Sequence, residues 1–464
     1  MKILSTTITT ALCAMSLSAV AAKNTQPNIV FVLADDMGIG DAGCYGQKKI
    51  KTPNIDALAK SGIQFMQHYS GSTVSAPSRC SLLTGKHTGH AAIRGNGASV
   101  VKGEDEGADM SLPLEEVTVA EVLKEKGYAT ACVGKWGLGG AKTNGSPVNQ
   151  GFGYFFGYLS QGAAHRYYPD FLYENETKYP LHGEYSHYVI MQKGLDFIDK
   201  NADKPFFVYF AVTPPHADLD IPDLGQYDKT FPEKPHINNN PSKGYKTQMQ
   251  PKAAYAAMVS EVDNNVGQII DLLKKKGVYE NTIIIFSSDN GVHQVGGNDP
   301  EFFDSNGPFR GYKRDLYEGG VRAPFIVSWK EKITTPRFSY HVSAFWDFLP
   351  TVCDIVGAKV PAGVDGISYL PELLNDGKNQ AKHDYIYYEF FEQGGKQSIL
   401  RADGWKLIRL QVSNPKKMEE ELYNIQSDPA EWVNVIEQYP DIAASLRKKM
   451  DTQRIENPYF KFTK

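Results

Sequence analysis

Five short runs of uninterrupted apolar residues punctuate the chain up to about residue 330. They are "NIVFVLA" (Asn28–Ala34), "ATACV" (Ala129–Val133), "PFFVYFAV" (Pro205–Val212), "TIIIFSS" (Thr282–Ser288) and "PFIVSW" (Pro324–Trp329). Runs this short with no alternation predict strands buried on both faces, as in a parallel sheet. The segments between them carry helical spacing and helical punctuation. "TPNIDALAKSGIQF" opens with Thr52 as N-cap and Pro53 in the first turn, and "TVAEVLKEKGY" ends on Gly127 as C-cap. "AAYAAMVSEVDNNVGQIIDLLKKKG" closes on lysines and Gly277. Strands alternating with helices predict an α/β domain over residues 25–335, a doubly wound, mixed but mostly parallel sheet. After about Phe338 the pattern turns polar-aromatic in "DYIYYEF", "QSILRADGWKLIRL" and "ELYNIQSDPAEWVNV", with tight turns at Ala402-Asp403-Gly404 and Ser427-Asp428-Pro429. That predicts a smaller C-terminal antiparallel α+β domain, residues 336–464, with a small antiparallel sheet and a terminal helix near Ile442–Met450.

The N-terminus has another logic. Lys2 supplies a basic start, Ile8 to Val20 an apolar core and Ala19-Val20-Ala21 a small-x-small cleavage site. Residues 1–22 therefore read as a signal peptide, and the mature protein as secreted or periplasmic. No later stretch is long and apolar enough to span a bilayer. Across the 464 residues the formal net charge is −4 and the basic residues are scattered, which argues against nucleic acid as a partner. Cys13 leaves with the signal. Cys44, Cys80, Cys132 and Cys353 are too sparse for a disulfide scaffold and wrongly spaced for structural zinc, so buried free thiols are expected.

In an open α/β sheet, ligands bind beyond the carboxyl ends of the strands. The residues just past each predicted strand are therefore informative: Asp35-Asp36 after the first, Gly134-Lys135 after the second, Pro214-Pro215-His216 after the third and Asp289-Asn290 after the fourth. Lys313 lies in a glycine-punctuated loop just before the fifth. Asp35, Asp36, Asp289 and Asn290 offer oxygen only, and converging carboxylates need a cation. A hard divalent ion fits, calcium before magnesium. "GIGDAG" (Gly38–Gly43) matches a dinucleotide fingerprint, but the two aspartates before it repel a pyrophosphate and no helix comes after it to receive one. "GSTVSAPSRCSLLTGKH" (Gly71–His87) offers Ser75 as a nucleophile, yet without a Gly-x-Ser-x-Gly elbow or a nearby base.

Together these segments resemble the formylglycine-dependent sulfatases of the alkaline phosphatase superfamily. "SAPSRCSLLTG" is similar to the family signature of Cys or Ser, then x-Pro-x-Arg and Leu-Thr-Gly. "ADDMGIGD", "VGKWGLG", "SSDNG", "GYKRDLYEGGVRAP" and "ELYNIQSDPAE" occur in the family's order. Pro77 and Arg79 are spaced from Ser75, so Cys80 is not the nucleophile. The resemblance implies that Ser75 is oxidised to formylglycine (3-oxoalanine), whose hydrate carries a second hydroxyl. Loss of that proton expels sulfate and regenerates an aldehyde, where a plain serine would keep a stable sulfate ester. Serine at this position implies a radical-type, oxygen-independent maturase as partner, as in many bacteria. The resemblance further implies that Asp35, Asp36, Asp289 and Asn290 bind Ca2+ together with residue 75, and that Arg79 holds the hydrate. It implies that Lys135 and Lys313 bind sulfate oxygens and that His216 protonates the leaving alcohol.

One position departs from the family pattern. Many members read Gly-Lys-Trp-His-Leu-Gly, with the histidine helping to deprotonate the hydrate; this chain has Gly137 there. His165 in "QGAAHRYYP" and His293 in "DNGVHQVGG" are the candidates to replace it. The aromatic-dense stretch from Gly153 to Pro180 reads by default as core packing, and its place beside the pocket suggests a sugar-facing rim. The expected activity is sulfuric ester hydrolysis on a sulfated carbohydrate. The alternatives are a phosphoester or phosphonate hydrolase of the same superfamily and a non-catalytic glycan-binding relative whose Ser75 is never oxidised.

Overall fold

A computed structural model describes residues 26–96, 110–240, 243–374 and 377–462. The predicted signal peptide lies outside the described residues. A ten-stranded sheet organises the larger part of the chain. From edge to edge its strands are Arg337–Ser339, Ile63–Phe65, Phe325–Ser328, Thr282–Ser288, Asn28–Ala34, Phe206–Ala211, Ala129–Lys135, Tyr154–Tyr158, Phe171–Glu174 and Thr177–Pro180. The central five, Thr282–Ser288 through Tyr154–Tyr158, run parallel. Successive residues of Asn28–Ala34 serve opposite faces, as the two-residue strand period requires. Val30 and Val32 pack with Val259, Val262 and Val266 of helix Pro251–Lys275, while Ile29, Phe31 and Leu33 share a second core with Phe348 and Val352 of helix Phe348–Val356. Helices on both faces explain why these strands are apolar throughout.

The apolar pattern places strand Phe325–Ser328 with the parallel set, but it runs antiparallel to Thr282–Ser288 and Ile63–Phe65. A parallel neighbour needs a crossover back to the starting edge. Between Asp289 and Pro324 the chain never crosses back: it stays at the carboxyl edge, where Lys313 meets Asp36, and re-enters the sheet from that side. Thr52 sits at its N-cap position, but its hydroxyl accepts the Gly43 N–H at 2.7 Å and donates to Asp56 rather than closing its own helix.

The C-terminal sheet is antiparallel, in the order Tyr385–Phe390, Lys396–Arg401, Trp405–Leu410, Glu419–Asn424. Its Tyr387, Ile399, Leu407 and Leu422 face helix Pro440–Met450 through Ala443, Leu446 and Met450. The alternate residues Ile386, Tyr388, Phe390 and Leu400 pack with Val74, Val321 and Trp346. The small sheet is thereby pressed against the residue just before Ser75. All four cysteines in the described residues are free thiols, three of them buried, as expected.

Candidate active site

Four parallel strands end at one edge and deliver the polar residues read from the sequence. Asp35 and Asp36 come after Asn28–Ala34, Lys135 ends Ala129–Lys135, His216 lies beyond Phe206–Ala211, and Asp289 and Asn290 come after Thr282–Ser288. All six side chains are buried, with Asp35, Asp36, Asp289 and Asn290 at 0 % exposure. Ser75 opens helix Ser75–Thr84 and Arg79 stands one turn later, so both point from the same face of the helix. The Ser75 hydroxyl donates to Asp35 Oδ1 at 3.2 Å and accepts from Lys135 Nζ at 3.2 Å, and Lys135 Nζ also donates to Asp35 Oδ2 at 2.6 Å. Arg79 fans across the base of the site. Its Nε and Nη2 donate to Asp289 Oδ2 at 3.2 and 2.9 Å, its Nη1 donates to the Lys135 carbonyl at 2.9 Å, and its Nη2 lies 3.4 Å from Asp35.

On the other side, Lys313 Nζ donates to Asp36 Oδ2 at 2.7 Å and lies 3.1 Å from His216 Nε2. His216 Nδ1–H donates to the Ala217 carbonyl, which leaves Nε2 to accept from the lysine. Asp36 holds its backbone in the left-handed region at φ 62, where a non-glycine residue is strained; its N–H donates to Asp289 Oδ1 at 3.0 Å and its Oδ1 accepts from Asn290 Nδ2 at 2.6 Å.

The electrostatics arise from this packing. Burial alone would push Asp35 upward, but Lys135 first, with Arg79 and Lys313, more than reverses it and holds its carboxyl well below the usual range. Burial opposes ionisation of Asp36 too, and Lys313 leads the groups that overcome it and lower its pKa. Asp289 moves up, raised by burial and by Asp35 despite Arg79. Burial and then Lys313 hold His216 well below its usual value, so its resting form is the neutral imidazole that receives the Lys313 hydrogen bond.

Three buried carboxylates and an amide oxygen are a donor set for a hard divalent cation. A further observation bears on the fit: Asn290 Oδ1 is buried and has no hydrogen-bond partner among the described residues. An orphaned acceptor costs stability unless something fills it. The donor chemistry of Asp35, Asp36, Asp289 and Asn290 therefore suits a divalent ion, and the ligand atoms that lie within 4.8 Å of one another here are those of Asp35, Asp36 and His216. A second cluster, His87, His90 and Asp365, has a donor set of similar size. There the Gly89 N–H donates to His87 Nδ1 at 3.1 Å, which puts the ring proton on Nε2, toward Asp365, where a metal would need a lone pair. That cluster is a hydrogen-bonded clamp.

The two histidines proposed to replace the absent one differ. His293 Nε2–H donates to the Pro215 carbonyl at 3.1 Å and its Nδ1 accepts the Val295 N–H at 3.2 Å, so both nitrogens are committed to backbone. It buttresses His216, its ring centroid 5.6 Å away. His165 stacks on His216 at 4.6 Å and 10°, with no hydrogen bond to its ring nitrogens among the described residues; burial, then Lys135 and Lys313, lower its pKa to about 4. Gly137 itself has φ +74, and a Cβ there would lie 1.7 Å from Gln161 Nε2. The Gln161 amide occupies the space a larger residue would take. The Gly38–Gly43 stretch is likewise a packing feature, because Gly40 lets the backbone approach the Asp304 carbonyl.

One sequence reading needs revision, and one residue near the site was missed. Most rings between Gly153 and Pro180 are core, including Phe155, Phe156, Tyr158, Tyr167 and Tyr173; Tyr168 is the exposed exception, so the segment is not a sugar-facing rim. Tyr245, by contrast, sits in a polar loop with no motif to mark it, yet its ring packs 5.9 Å from His165 and 6.4 Å from His216.

This sheet topology, with acids, lysines and a helix-borne serine gathered at the carboxyl edge, is that of the alkaline phosphatase superfamily. Comparison with known proteins narrows it further. The chain belongs to the sulfatase family, the sulfuric ester hydrolases: the Sulfatase family model matches residues 27–358, and one described as N-sulphoglucosamine sulphohydrolase, C-terminal, matches 307–456. The chain is 31 % identical over 410 residues to the N-acetylgalactosamine-6-sulfatase of Canis lupus familiaris, covering 81 % of this chain and 71 % of that protein. It is 28 % identical to the N-acetylgalactosamine-6-O-sulfatase of Bacteroides thetaiotaomicron, covering 93 % and 94 %. The crystal structure of Ps i-CgsB in complex with k-i-k-neocarrahexaose superposes with a TM-score of 0.78 at 28 % identity, over 94 % of this chain and 95 % of that one.

Proposed function

We propose that the protein removes sulfate from a sulfated glycan outside the cytoplasm, using Ser75 oxidised to formylglycine by a radical-type maturase and a calcium ion held by Asp35, Asp36, Asp289 and Asn290. The observation that carries this reading is the Ser75 hydroxyl, 3.2 Å from both Asp35 and Lys135, in a buried carboxylate cluster that leaves Asn290 Oδ1 unpartnered. The relatives named as N-acetylgalactosamine-6-sulfatases and the neighbour in complex with k-i-k-neocarrahexaose support a sulfated sugar as substrate.

Each side chain then has a task. A calcium ion held by Asp35, Asp36, Asp289 and Asn290 would supply the charge that polarises sulfate oxygens, and residue 75, once oxidised, would supply a hydrate from which sulfate can leave without attack of water on sulfur. Arg79 braces Asp289 and the Lys135 backbone and fixes the helix end that carries residue 75. Lys135 and Lys313 present ammonium groups from opposite sides to a tetrahedral anion. His216 takes a proton at Nε2 from the Lys313 ammonium that donates to it and passes that proton to the departing alcohol, a poor leaving group that needs one, which leaves Lys313 as the amine. His165, whose imidazole is free of hydrogen bonds among the described residues, is the group that takes the hydrate proton. The basic start, apolar run and small-x-small site within residues 1–22 support a secreted or periplasmic site of action.

Two measurements test the reading together. Peptide mass spectrometry of protein matured in a bacterium with the radical-type system should find the Ser75 peptide about two mass units light, the loss of two hydrogens. Sulfate release from 6-sulfated galactose, N-acetylgalactosamine and N-acetylglucosamine should vanish in Ser75→Ala. Unmodified Ser75 throughout, or equal sulfate release by the variant, rejects the proposal; faster turnover of phosphate esters points to the phosphoester alternative.

A further inference from the structure

Arg314 lies directly after Lys313, and its backbone lies in the left-handed region at φ 78, where an arginine is strained. The strain is held from both sides. Its N–H donates to the Thr73 carbonyl at 3.0 Å, two residues before Ser75, and its carbonyl accepts from the buried Lys396 Nζ at 2.7 Å. The guanidinium commits one donor only, Nε to Glu392 Oε2 at 2.9 Å. Its two Nη groups donate to nothing among the described residues, and neither does any donor reach Glu392 Oε1. Both side chains are about a third exposed, at 37 % and 35 %. Glu392 arrives from the C-terminal sheet, on the turn between Tyr385–Phe390 and Lys396–Arg401. The pair stands beside the site: Lys313, the residue before Arg314, reaches Asp36 at 2.7 Å and His216 Nε2 at 3.1 Å, and the Arg314 N–H meets the backbone two residues before Ser75. The neighbouring cations are engaged elsewhere, Arg166 with Asp218 at 2.6 Å and Lys246 with Asp220 at 2.7 Å.

We infer that Arg314 and Glu392 form a clamp for two adjacent hydroxyls on the sugar that carries the sulfate. Two free Nη groups beside one free carboxylate oxygen match a vicinal diol, in which each hydroxyl both accepts and donates. A second sulfate or a uronate carboxylate fits less well, because the pair is neutral overall and Glu392 repels an anion. The strained backbone then has a use, since it lets the guanidinium meet Glu392 while Lys313, the residue before it, faces the cluster. The clamp lies across the two sheets, so it couples sugar recognition to the placement of Lys313. It rests on the sulfatase reading and specifies the substrate class of that site.

The test compares N-acetylgalactosamine 6-sulfate with its 3,4-dideoxy analogue as substrates of the wild type, Arg314→Gly, Arg314→Lys and Glu392→Gln. Glycine is at ease at φ 78, so Arg314→Gly removes the guanidinium and relaxes the backbone, and its melting temperature should not fall. On the diol sugar its kcat/KM should drop roughly 10- to 100-fold, as loss of charged hydrogen bonds to a substrate hydroxyl requires. Glu392→Gln should lose roughly tenfold, and Arg314→Lys should not restore the wild-type rate because it lacks the fork. On the dideoxy sugar the Arg314→Gly loss should be at least about fivefold smaller. Equal losses on both sugars, or none on either, overturn the clamp. Binding of the unsulfated methyl glycoside of N-acetylgalactosamine to Ser75→Ala protein, read by saturation-transfer NMR with and without Arg314→Gly, separates the two readings because it needs no turnover. Arg314-dependent binding without hydrolysis by the wild type rejects the hydrolytic reading and keeps the clamp. Hydrolysis of 4-nitrophenyl sulfate with no effect of Arg314 on any sugar rejects the clamp and keeps the hydrolysis, and failure of both arms rejects both.

Discussion

Lys406→Met probes the joint between the two sheets. The Lys406 ammonium is sealed at 2 % exposure, 2.8 Å from Glu318 Oε1 and 2.9 Å from Glu431 Oε1. Glu318 has further partners, Arg322 and the Tyr69 hydroxyl at 2.8 Å, and its N–H donates to Glu431 Oε2 at 2.6 Å. Methionine keeps the length of the stem and removes the charge, which leaves Glu431 without a cation. Breaking a buried pair from one side costs about 3–5 kcal/mol. Unfolding entropy scales with chain length, near 1 kcal/mol per kelvin for a chain of this size, so the melting temperature should fall by about 3–5 °C at neutral pH. The pH dependence is more diagnostic. Burial raises the Glu431 carboxyl to about 7, from 4.5 in the open chain, even with Lys406 pulling it down. A group raised on folding contributes stability that is fully present below its unfolded pKa and is lost as pH rises through the folded value. Without Lys406 that folded value moves higher still, and Glu318, held near 2 against its burial by Lys406 and Arg322, loses part of its depression. The deficit of the variant should therefore be small near pH 5, where Glu431 carries its proton in both proteins, and grow toward pH 9. Calorimetric melting of both proteins across that range is the assay. A melting-temperature difference that is the same at pH 5 and pH 9 would refute the assignment of the cost to the buried glutamates.

Three further outcomes are expected. Gly137→Ala should destabilise by about 1–3 kcal/mol in thermal melts, from the strain of φ +74 and the clash with Gln161, and Gln161→Ala should recover the part due to the clash. Exhaustive chelation should abolish sulfate release and lower the melting temperature by several degrees, calcium restoring both, because an ion that binds only the folded site stabilises it; a chelator-indifferent melting curve contradicts the ion site. His165→Asn should lower kcat by about 10²-fold or more with the fold intact, as loss of a general base does, whereas His293→Asn should act mainly on stability through its two backbone hydrogen bonds; the reverse assignment of kinetic and thermal losses would move the base to His293.

Much of the machinery was legible in the linear chain because it obeys local rules. Apolar runs of strand length mark a sheet covered on both faces, and ligand-binding residues come directly after such strands, so Asp35, Asp36, Lys135, Asp289 and Asn290 are found by reading one or two residues past each run. Ser75 and Arg79 were found from their motif, but that they share one face follows from the helix Ser75–Thr84, which the sequence reading did not predict. Other relations had no local signature. The reversal of Phe325–Ser328 depends on where the preceding loop stays, and the fate of the rings around Tyr158 on what packs against them. The difference between His165 and His293 lies in which backbone groups come within 3.2 Å of each ring, and Glu392 lies 78 positions from the arginine it pairs with. Local spacing therefore determined which groups stand at the sheet edge. Only the folded chain decided which of them are tied down, which are left free to act and which distant segments complete them, because hydrogen bonds and burial depend on separation in space, to which sequence distance sets no lower bound once the chain has closed.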